Sequence, residues 1–188
     1  VTNLIEMPTA VMGGFNPEFL ALPRDVLISV MKKHQRYFPV QSKVESQKSD
    51  EASTFDLRPS TLLPHFIAIR NGDDIHIDTV REGNEHVLGA RFADANFFVR
   101  EDVKLKLEEY RPKLASLTFH TKLGSMLDKS DRILKLGAEV GAMLGFRGID
   151  EIKPLGRAVY LAKADLVTQM VTEMTSLQGI IGGEYALR

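Results

Sequence analysis

The sequence predicts an α+β domain over residues 1–115, followed by an all-helical domain over residues 116–188. Short apolar runs at 37–40 and 62–69 predict strands in the first domain. From Thr118 onward the apolar residues recur at helical spacing. Runs of strands followed by runs of helices are typical of an α+β architecture.

The first domain is predicted to begin with a loop over residues 1–19, because prolines and paired glycines interrupt this stretch. Pro23 is predicted to open a helix with one apolar face, formed by Val26, Leu27, Val30 and Met31. Between the two predicted strands, residues 41–60 are polar and predict a flexible surface loop.

The second predicted strand runs into Asn71-Gly72, a turn signal that predicts a hairpin with a third strand at 75–77. Asn84 is predicted to cap a long helix, with Glu85 near the positive end of its dipole. Pro112 is predicted to break or kink that helix. The apolar stripe of the helix comprises Leu88, Phe92, Ala95, Val99 and Val103.

In the second domain, the first predicted helix has an apolar face made of Met126, Ile133, Val140 and Leu144. Gly145, Gly148 and Pro154 predict the next loop, and a further helix is predicted from about Arg157 to Met174. Gly179, Gly182 and Gly183 then predict a mobile or tightly turned segment.

The composition is that of a globular protein with a core: 44% of the 188 residues are hydrophobic and 26% are charged. The chain contains no cysteine, which excludes disulfides, thiolate metal sites and a cysteine nucleophile. Its formal net charge is -1, so contact with RNA requires a local basic patch or a part of the parent protein outside this chain. The first residues hold no initiating Met and no signal-peptide pattern, so we expect an internal part of a longer protein, and no membrane segment.

Known catalytic motifs are absent from the sequence. There is no phosphate-binding G-x-x-x-x-G-K-[ST] loop and no G-x-S-x-G elbow. The five histidines are scattered, and none precedes an aspartate as in helical metal phosphohydrolases. We therefore expect no catalytic residue and no metal site in this chain.

Asp165 lies on the apolar side of a predicted helix, one turn after Leu161. A buried carboxylate requires a cationic or hydrogen-bonding partner. Two interpretations stay open: a structural ion pair with Lys129 or Arg132, or a working hydrolase residue. The missing histidines favour the structural role. Arg91 and Asp94 are likewise predicted to form an i,i+3 ion pair on a helix.

Seven residues are candidates for RNA binding: His34, Arg36, Lys122, Lys129, Arg132, Lys135 and Gln178. Arginine forms bidentate phosphate contacts, whereas a histidine at a helix end also suits the helix dipole. The four cations from 122 to 135 recur at roughly helical spacing, but Asp128 and Asp131 are interleaved, as on a solvated helix face. Gln178 suits a base edge or a helix-ending turn.

Four blocks resemble the beta subunit of bacterial-type, heterotetrameric glycyl-tRNA synthetase in order and spacing, over nearly the whole chain. They are residues 22–38 with His34-Gln35-Arg36-Tyr37-Phe38, residues 83–98, residues 122–129, and Lys163-Ala164-Asp165-Leu166 joined to Leu177-Gln178-Gly179 and Tyr185-Ala186. Three departures are an insertion at 41–60, His86 where the family has Arg, and the stretch 173–176.

The resemblance implies that the chain handles glycine tRNA without catalysing the reaction, in an alpha2beta2 ligase of bacterial cytoplasm or a plant organelle. ATP and Mg are then expected in the catalytic alpha subunit, and no cofactor here. It also implies an HD-like helical domain that has lost its metal ligands, with Ala164-Asp165 where such domains carry His-Asp. The alternatives are a divergent HD-type metal phosphohydrolase and a purely structural module at a subunit interface.

Overall fold

A computed structural model describes residues 5–42 and 62–188 of the chain. The predicted loop at 41–60 lies outside the described residues, except for Gln41 and Ser42. The chain divides into two compact units, residues 1–96 and 97–188. The predicted division between residues 115 and 116 falls inside the second unit, because the chain divides within a long helix.

The first unit contains a three-stranded antiparallel sheet in the order β1-β3-β2. Its strands are β1 (Pro8–Gly14), β2 (Phe38–Gln41) and β3 (Leu62–Asn71). Helix α1 spans Arg24–Ser29 and continues as a π-helical turn over Val30–His34. Helix α2 spans Ile77–Asp102, so its first five turns belong to this unit.

The core of the first unit forms around Phe66, which is fully buried on β3. The Tyr37 ring stacks on the Phe66 ring with centroids 4.7 Å apart. A Cβ atom at Gly13 would lie 2.5 Å from the Phe66 ring, so only glycine fits opposite it. The predicted face of α1 is confirmed, since all four of its members are fully buried.

Three predictions about the first unit are wrong. Residues 8–14 form a strand rather than a loop, because edge strand β1 tolerates Pro8 at its first position and Phe66 requires Gly13. Residues 75–77 form no hairpin strand, because α2 starts at Ile77. Asn84 is therefore inside the helix rather than its cap.

Asn84 and its neighbour Glu85 make tertiary hydrogen bonds instead of capping the helix. The Tyr37 hydroxyl donates to Asn84 Oδ1 at 3.1 Å, and the Gly14 N–H donates to Glu85 Oε1 at 2.8 Å. Farther along α2, the predicted stripe is buried as far as Val99, whereas Val103 lies beyond the helix and is exposed. The helix thus ends ten residues before Pro112.

The second unit is mostly helical. Its helices after α2 are α3 (Leu107–Tyr110), α4 (Met126–Met143), α5 (Ile149–Leu161), α6 (Gln169–Glu173) and α7 (Ile180–Ala186). Short 3-10 turns cover Arg111–Ser116, Ala164–Val167 and Thr175–Leu177. Pro112 stands in the first turn of a 3-10 helix, where its missing N–H costs little.

The prediction that residues from Thr118 onward are all helical is wrong at one place. Strands β4 (Thr118–His120) and β5 (Gly124–Ser125) pair as a short antiparallel hairpin. Two other boundaries also differ: Pro154 lies inside α5 rather than in a loop, and the helix predicted at 157–174 is interrupted after Leu161. Hydrogen bonds made by Asp165 and Thr168 favour the 3-10 turn over a continued α-helix there.

Helices α4 and α5 run antiparallel, with Gly137 against Val159 and Gly141 against Leu155. The predicted face of α4 is only half covered, because Val140 and Leu144 are more than half exposed. The core of the unit lies elsewhere, around the fully buried Leu114, Met170 and Ile181.

The carboxylate of Asp102, at the end of α2, connects three elements of the second unit. It accepts hydrogen bonds from the N–H groups of Gln169 at 2.8 Å and Met170 at 2.9 Å, and from the Tyr185 hydroxyl at 3.1 Å. The residue is 1% exposed. Asp102 therefore caps α6 from outside that helix and holds α7 beside it.

We expect Asp102→Asn to lower the free energy of unfolding by roughly 1.5–3 kcal/mol, because charge-assisted hydrogen bonds are replaced by weaker ones. Urea denaturation followed by circular dichroism measures the change. Asp94→Asn, at an exposed position of the same helix, is the matched control. Equal stability of the two variants would contradict this role.

Candidate nucleic-acid interface

The π-helical turn after α1 places a group of cations on the surface of the first unit. Val30 and Met31 are fully buried and anchor the turn, whereas Lys32, Lys33 and His34 are exposed. The Gln35 N–H donates to the Val30 carbonyl and the Tyr37 N–H to the Met31 carbonyl, which turns the chain toward β2. Residues 30–41 contain no Asp or Glu, so this stretch of the sequence is uniformly basic.

Arg36 follows the turn with φ of 58°, in the left-handed region, and its side chain is exposed. A cavity of about 380 Å³ lies between Lys32, Arg36, Tyr37 and Phe38. The Phe38 ring is 45% exposed. We call Lys32, Lys33, His34, Arg36 and Phe38 the turn cluster, which offers cations for phosphate and an aromatic face for a base.

In the second unit, the hairpin of β4 and β5 brings together a second basic group. The Lys129 ammonium lies 4.0 Å from the centroid of the Phe119 ring. Arg132 Nη1 donates to the Leu123 carbonyl at 3.0 Å, which holds the guanidinium against the hairpin. We call Phe119, Lys122, Leu123, Lys129 and Arg132 the hairpin cluster; its apolar members are also exposed.

Asp128, which interrupts these cations in the sequence, is used in capping α4. The Ser125 N–H and hydroxyl each donate to Asp128 Oδ2 at 2.7 Å, and the Asp128 N–H donates to Ser125 Oγ. These donors hold the pKa of Asp128 below its usual value of 3.8. The left-handed backbone of Gly124, with φ of 83°, leaves room for this carboxylate.

Asp131, the second interleaved acid, is paired with an arginine that the sequence analysis missed. Arg111 Nη2 donates to Asp131 Oδ1 at 2.5 Å, while Arg111 Nε donates to the Tyr160 carbonyl at 3.0 Å. The guanidinium carbon of Arg111 also lies 4.3 Å from the centroid of the Tyr160 ring. Arg111 thus offsets the charge of Asp131. Asp128 accepts its hydrogen bonds from Ser125 and also attracts Arg132, but the three cations of the hairpin cluster outnumber it.

Two predicted ion pairs are absent from the described residues. Arg91 and Asp94 are both exposed on α2 and form no ion pair there. Asp165 pairs with neither Lys129 nor Arg132; its Oδ2 instead accepts a hydrogen bond from the Gly179 N–H at 2.5 Å. The expectation that this buried carboxylate has a hydrogen-bonding partner is confirmed, and the partner is a backbone amide.

The remaining RNA candidates lie outside the two clusters. Lys135 is exposed on α4, two turns after Asp128 and farther from the hairpin. Gln178 is exposed at the end of the 3-10 turn Thr175–Leu177, next to Gly179 with φ of 82°. The helix-ending geometry therefore exists at Gln178, and its side chain points to solvent rather than into the core.

Several members of the clusters were not selected from the sequence. Lys32 and Lys33 directly precede His34, and this run of cations was a usable signal. The contact between Phe119 and Lys129 could not be predicted from the sequence, because the two side chains meet only when the β4–β5 hairpin folds.

No three or more His, Asp or Glu side chains within residues 5–42 and 62–188 are grouped so that they could hold a metal ion. In the same ranges, no helix has the length and apolar character needed to cross a membrane.

Comparisons with known proteins agree with the resemblance found in the sequence. The profile of the glycyl-tRNA synthetase beta subunit family matches residues 1–188. The chain is 48% identical over 186 residues to the glycine--tRNA ligase beta subunit of Clostridioides difficile, covering 99% of this chain and 24% of that protein. Identity is 43% over 187 residues with the Listeria welshimeri protein, covering 100% and 25%.

The beta subunit of Trichodesmium erythraeum is 45% identical over 186 residues, covering 99% of this chain and 24% of its own length. These matches define the chain as part of an aminoacyl-tRNA synthetase component. It belongs to the glycyl-tRNA synthetase beta subunit family. The chain spans about a quarter of the length of the curated relatives that it matches.

The capping of α4 gives a prediction about pH. A lowered folded-state pKa stabilises the protein above the unfolded-state pKa, and this stabilisation is lost as the pH falls through the folded-state value. We expect wild type to be more stable than Asp128→Asn above pH 3.8, and the difference to shrink at lower pH. Urea denaturation at several pH values measures it.

Asp150→Asn is the control, because Asp150 is exposed in the first turn of α5 and its carboxylate accepts no hydrogen bond from the described residues. The same pH-dependent difference in this control would refute the capping role of Asp128.

Proposed function

We propose that this chain is a non-catalytic part of the ligase that binds glycine tRNA and positions it for aminoacylation. The observation that carries the proposal is the hairpin cluster, in which Lys129 lies against the Phe119 ring, Asp131 pairs with Arg111, and Asp128 is used in capping α4. Such an arrangement suits a phosphate backbone with an unpaired base nearby. The contribution to catalysis would be positioning rather than bond chemistry.

Charge supports a local rather than a global attraction for RNA. With a formal net charge of -1, the whole chain has no general affinity for polyanions. The turn cluster concentrates three Lys or Arg residues within residues 32–36, and the hairpin cluster concentrates three within residues 122–132. When one of these Lys or Arg side chains binds a phosphate, a counterion is released from the RNA, so binding at the two clusters weakens as the salt concentration rises.

The rest of the ligase follows from family membership and is part of the same proposal. The relatives are named as beta subunits, which implies an alpha subunit as partner. We propose that the alpha subunit binds ATP, Mg and glycine, that the assembly is alpha2beta2, and that it works in the bacterial cytoplasm. The likeness of residues 116–188 to HD domains stays a prediction.

A second function is favoured by the exposed apolar face of α4 and α5. Met143, Leu144 and Ile149 are 83%, 66% and 71% exposed, and they follow one another around the turn that joins these helices. An exposed apolar patch of this kind is typical of a protein interface. The chain would then also serve as an interface module of the ligase.

The first test measures binding of the chain to glycine tRNA and to an unrelated tRNA over a salt series. We expect tighter binding of glycine tRNA, with an affinity that falls steeply as salt rises. Weak and equal binding of both tRNAs would overturn recognition by this chain and favour the interface function.

Substitutions then locate the contacts. We expect Lys129→Gln and Arg132→Gln each to weaken tRNA binding and to reduce the slope of log affinity against log salt by about 1. The controls are Lys153→Gln and Arg147→Gln, exposed cations on or before α5. Equal effects in the control variants would show that the hairpin cluster has no special role.

The turn cluster is tested in the same way. We expect Lys32→Gln and Arg36→Gln to reduce the salt dependence by similar amounts, because both side chains line the same exposed cavity. Arg24→Gln, an exposed cation at the start of α1, is the control. An unchanged slope in Lys32→Gln and Arg36→Gln would remove this cluster from the interface.

A further inference from the structure

A cavity of about 310 Å³ in the second unit lies against Asp165. Small residues form much of its wall: Ala158 and Ala162 at the end of α5, and Gly179, Gly182 and Gly183 at the start of α7. The apolar part is completed by Leu107, Leu161 and Leu187. We call it the Asp165 cavity. Cavities near 300 Å³ are at the lower end of ligand-binding sites, so it suits a single small group.

One oxygen of Asp165 is available to this cavity. The side chain is 97% buried, since the residue is only 3% exposed, and Oδ2 accepts the hydrogen bond from Gly179. Oδ1 accepts none from the described residues. Ser130 Oγ is the only fully enclosed side-chain N or O without a partner among those residues, so Asp165 Oδ1 is not fully enclosed. Because Asp165 lines the cavity, we infer that Oδ1 faces it.

The local backbone holds this carboxylate in place. Gly179 has φ of 82°, which directs its N–H at Asp165 Oδ2. A Cβ at Gly182 would lie 3.0 Å from the Asp165 carboxylate, so the glycine lets the helix approach closely. Thr168 donates to the Asp165 carbonyl at 2.7 Å. The acceptor Oδ1 is therefore preorganised rather than free to turn away.

The remaining features define what the cavity accepts. Its apolar walls of glycine and alanine suit a flat, uncharged ring, while Oδ1 requires a hydrogen-bond donor. Arg157 also lines the cavity, and its half-exposed guanidinium donates to Glu108 and to the Ala186 carbonyl. The guanidinium is therefore already engaged by these partners.

We propose that the Asp165 cavity binds one unpaired RNA base that carries an exocyclic amino group, with Asp165 Oδ1 accepting a hydrogen bond from that group. Adenine, cytosine and guanine carry such a group. Uracil offers only its ring N3–H, which lies between two carbonyl oxygens that a carboxylate repels. The proposal rests on the RNA-binding function proposed above and assigns it a base-selective site. Gln178, exposed beside Gly179, lies next to this site in the sequence.

The first experiment titrates the chain with AMP, CMP and UMP, using ligand-observed nuclear magnetic resonance. We expect AMP and CMP to bind and UMP to bind at least tenfold more weakly, because the two carbonyl oxygens beside the uracil N3–H are repelled by the carboxylate. Equal binding of the three nucleotides, or of none, overturns the proposal.

A blocking variant tests the location. A Cβ at Gly183 meets open space, and Gly183 lines the cavity with an ordinary backbone conformation in α7. We expect Gly183→Leu to abolish AMP binding and to leave the fold intact. The matched control is Gly83→Leu, an exposed helical glycine of the first unit that also meets open space. Retained AMP binding in Gly183→Leu overturns the location.

A second variant tests the polarity of the site. In Asp165→Asn the Gly179 N–H still requires an acceptor, so the amide oxygen takes that place and the NH₂ group faces the cavity. We expect roughly tenfold weaker AMP binding and stronger UMP binding, a reversal that mere destabilisation would not produce. Unchanged preference for AMP overturns the role of Asp165.

The source of the base is distinguished with a single-stranded oligoadenylate hexamer. If the base comes from RNA, the hexamer is expected to bind more tightly than AMP. Tighter binding of AMP than of the hexamer would overturn RNA as the source. The tRNA salt series for the hairpin cluster is measured in the Gly183→Leu background. If tRNA binding in Gly183→Leu keeps its salt slope, the RNA-binding function stands whether or not the cavity binds a base. If wild type itself shows no salt-dependent tRNA binding, the RNA-binding function fails.

Discussion

The second unit depends on satisfying buried carboxylates with backbone amides rather than with cations. Asp102 ends α2 and receives two N–H groups of α6 together with the Tyr185 hydroxyl. A buried carboxylate of this kind is tolerated because both of its oxygens accept hydrogen bonds. The Tyr110 hydroxyl donates to the Asp102 carbonyl. Burial of Tyr110, and next the nearby Asp102 carboxylate, raise the pKa of Tyr110 to about 12. The pKa of Tyr185 is raised for the same reasons, so both hydroxyls stay protonated and donate.

Asp165 repeats this solution and gives it a different consequence. Its partner is the Gly179 N–H, and the close approach of Gly182 leaves no side chain to fill the space beside it. No cationic side chain pairs with Asp165 among the described residues; its partner is the Gly179 amide. Gly179, Gly182 and Gly183 leave a cavity beside the carboxylate. The carboxylate is thus structural through one oxygen and accessible through the other.

The surface clusters show how local pairing changes the meaning of a charge pattern. In the sequence, Asp128 and Asp131 alternate with the cations and predict a solvated helix face. In the structure, one acid caps its own helix and the other pairs with Arg111, which comes from a separate 3-10 turn. The pairing of Asp131 with Arg111 leaves Asp128 as one acid among three cations, and Lys129 gains an aromatic neighbour in Phe119.

The sequence by itself determined the α+β character, the strands near 38 and 66, and the buried faces of α1 and α2, because hydrophobic periodicity is local. The family was indicated separately, by the resemblance of the four sequence blocks. Only the tertiary structure decided the rest. Strand β1 exists because β3 pairs with it, although its Pro8 and Gly13 locally favour a loop. The partners of Asp102 and Asp165 lie 67 and 14 residues away in the chain. No local pattern encodes such pairings, since they form only when distant elements pack together.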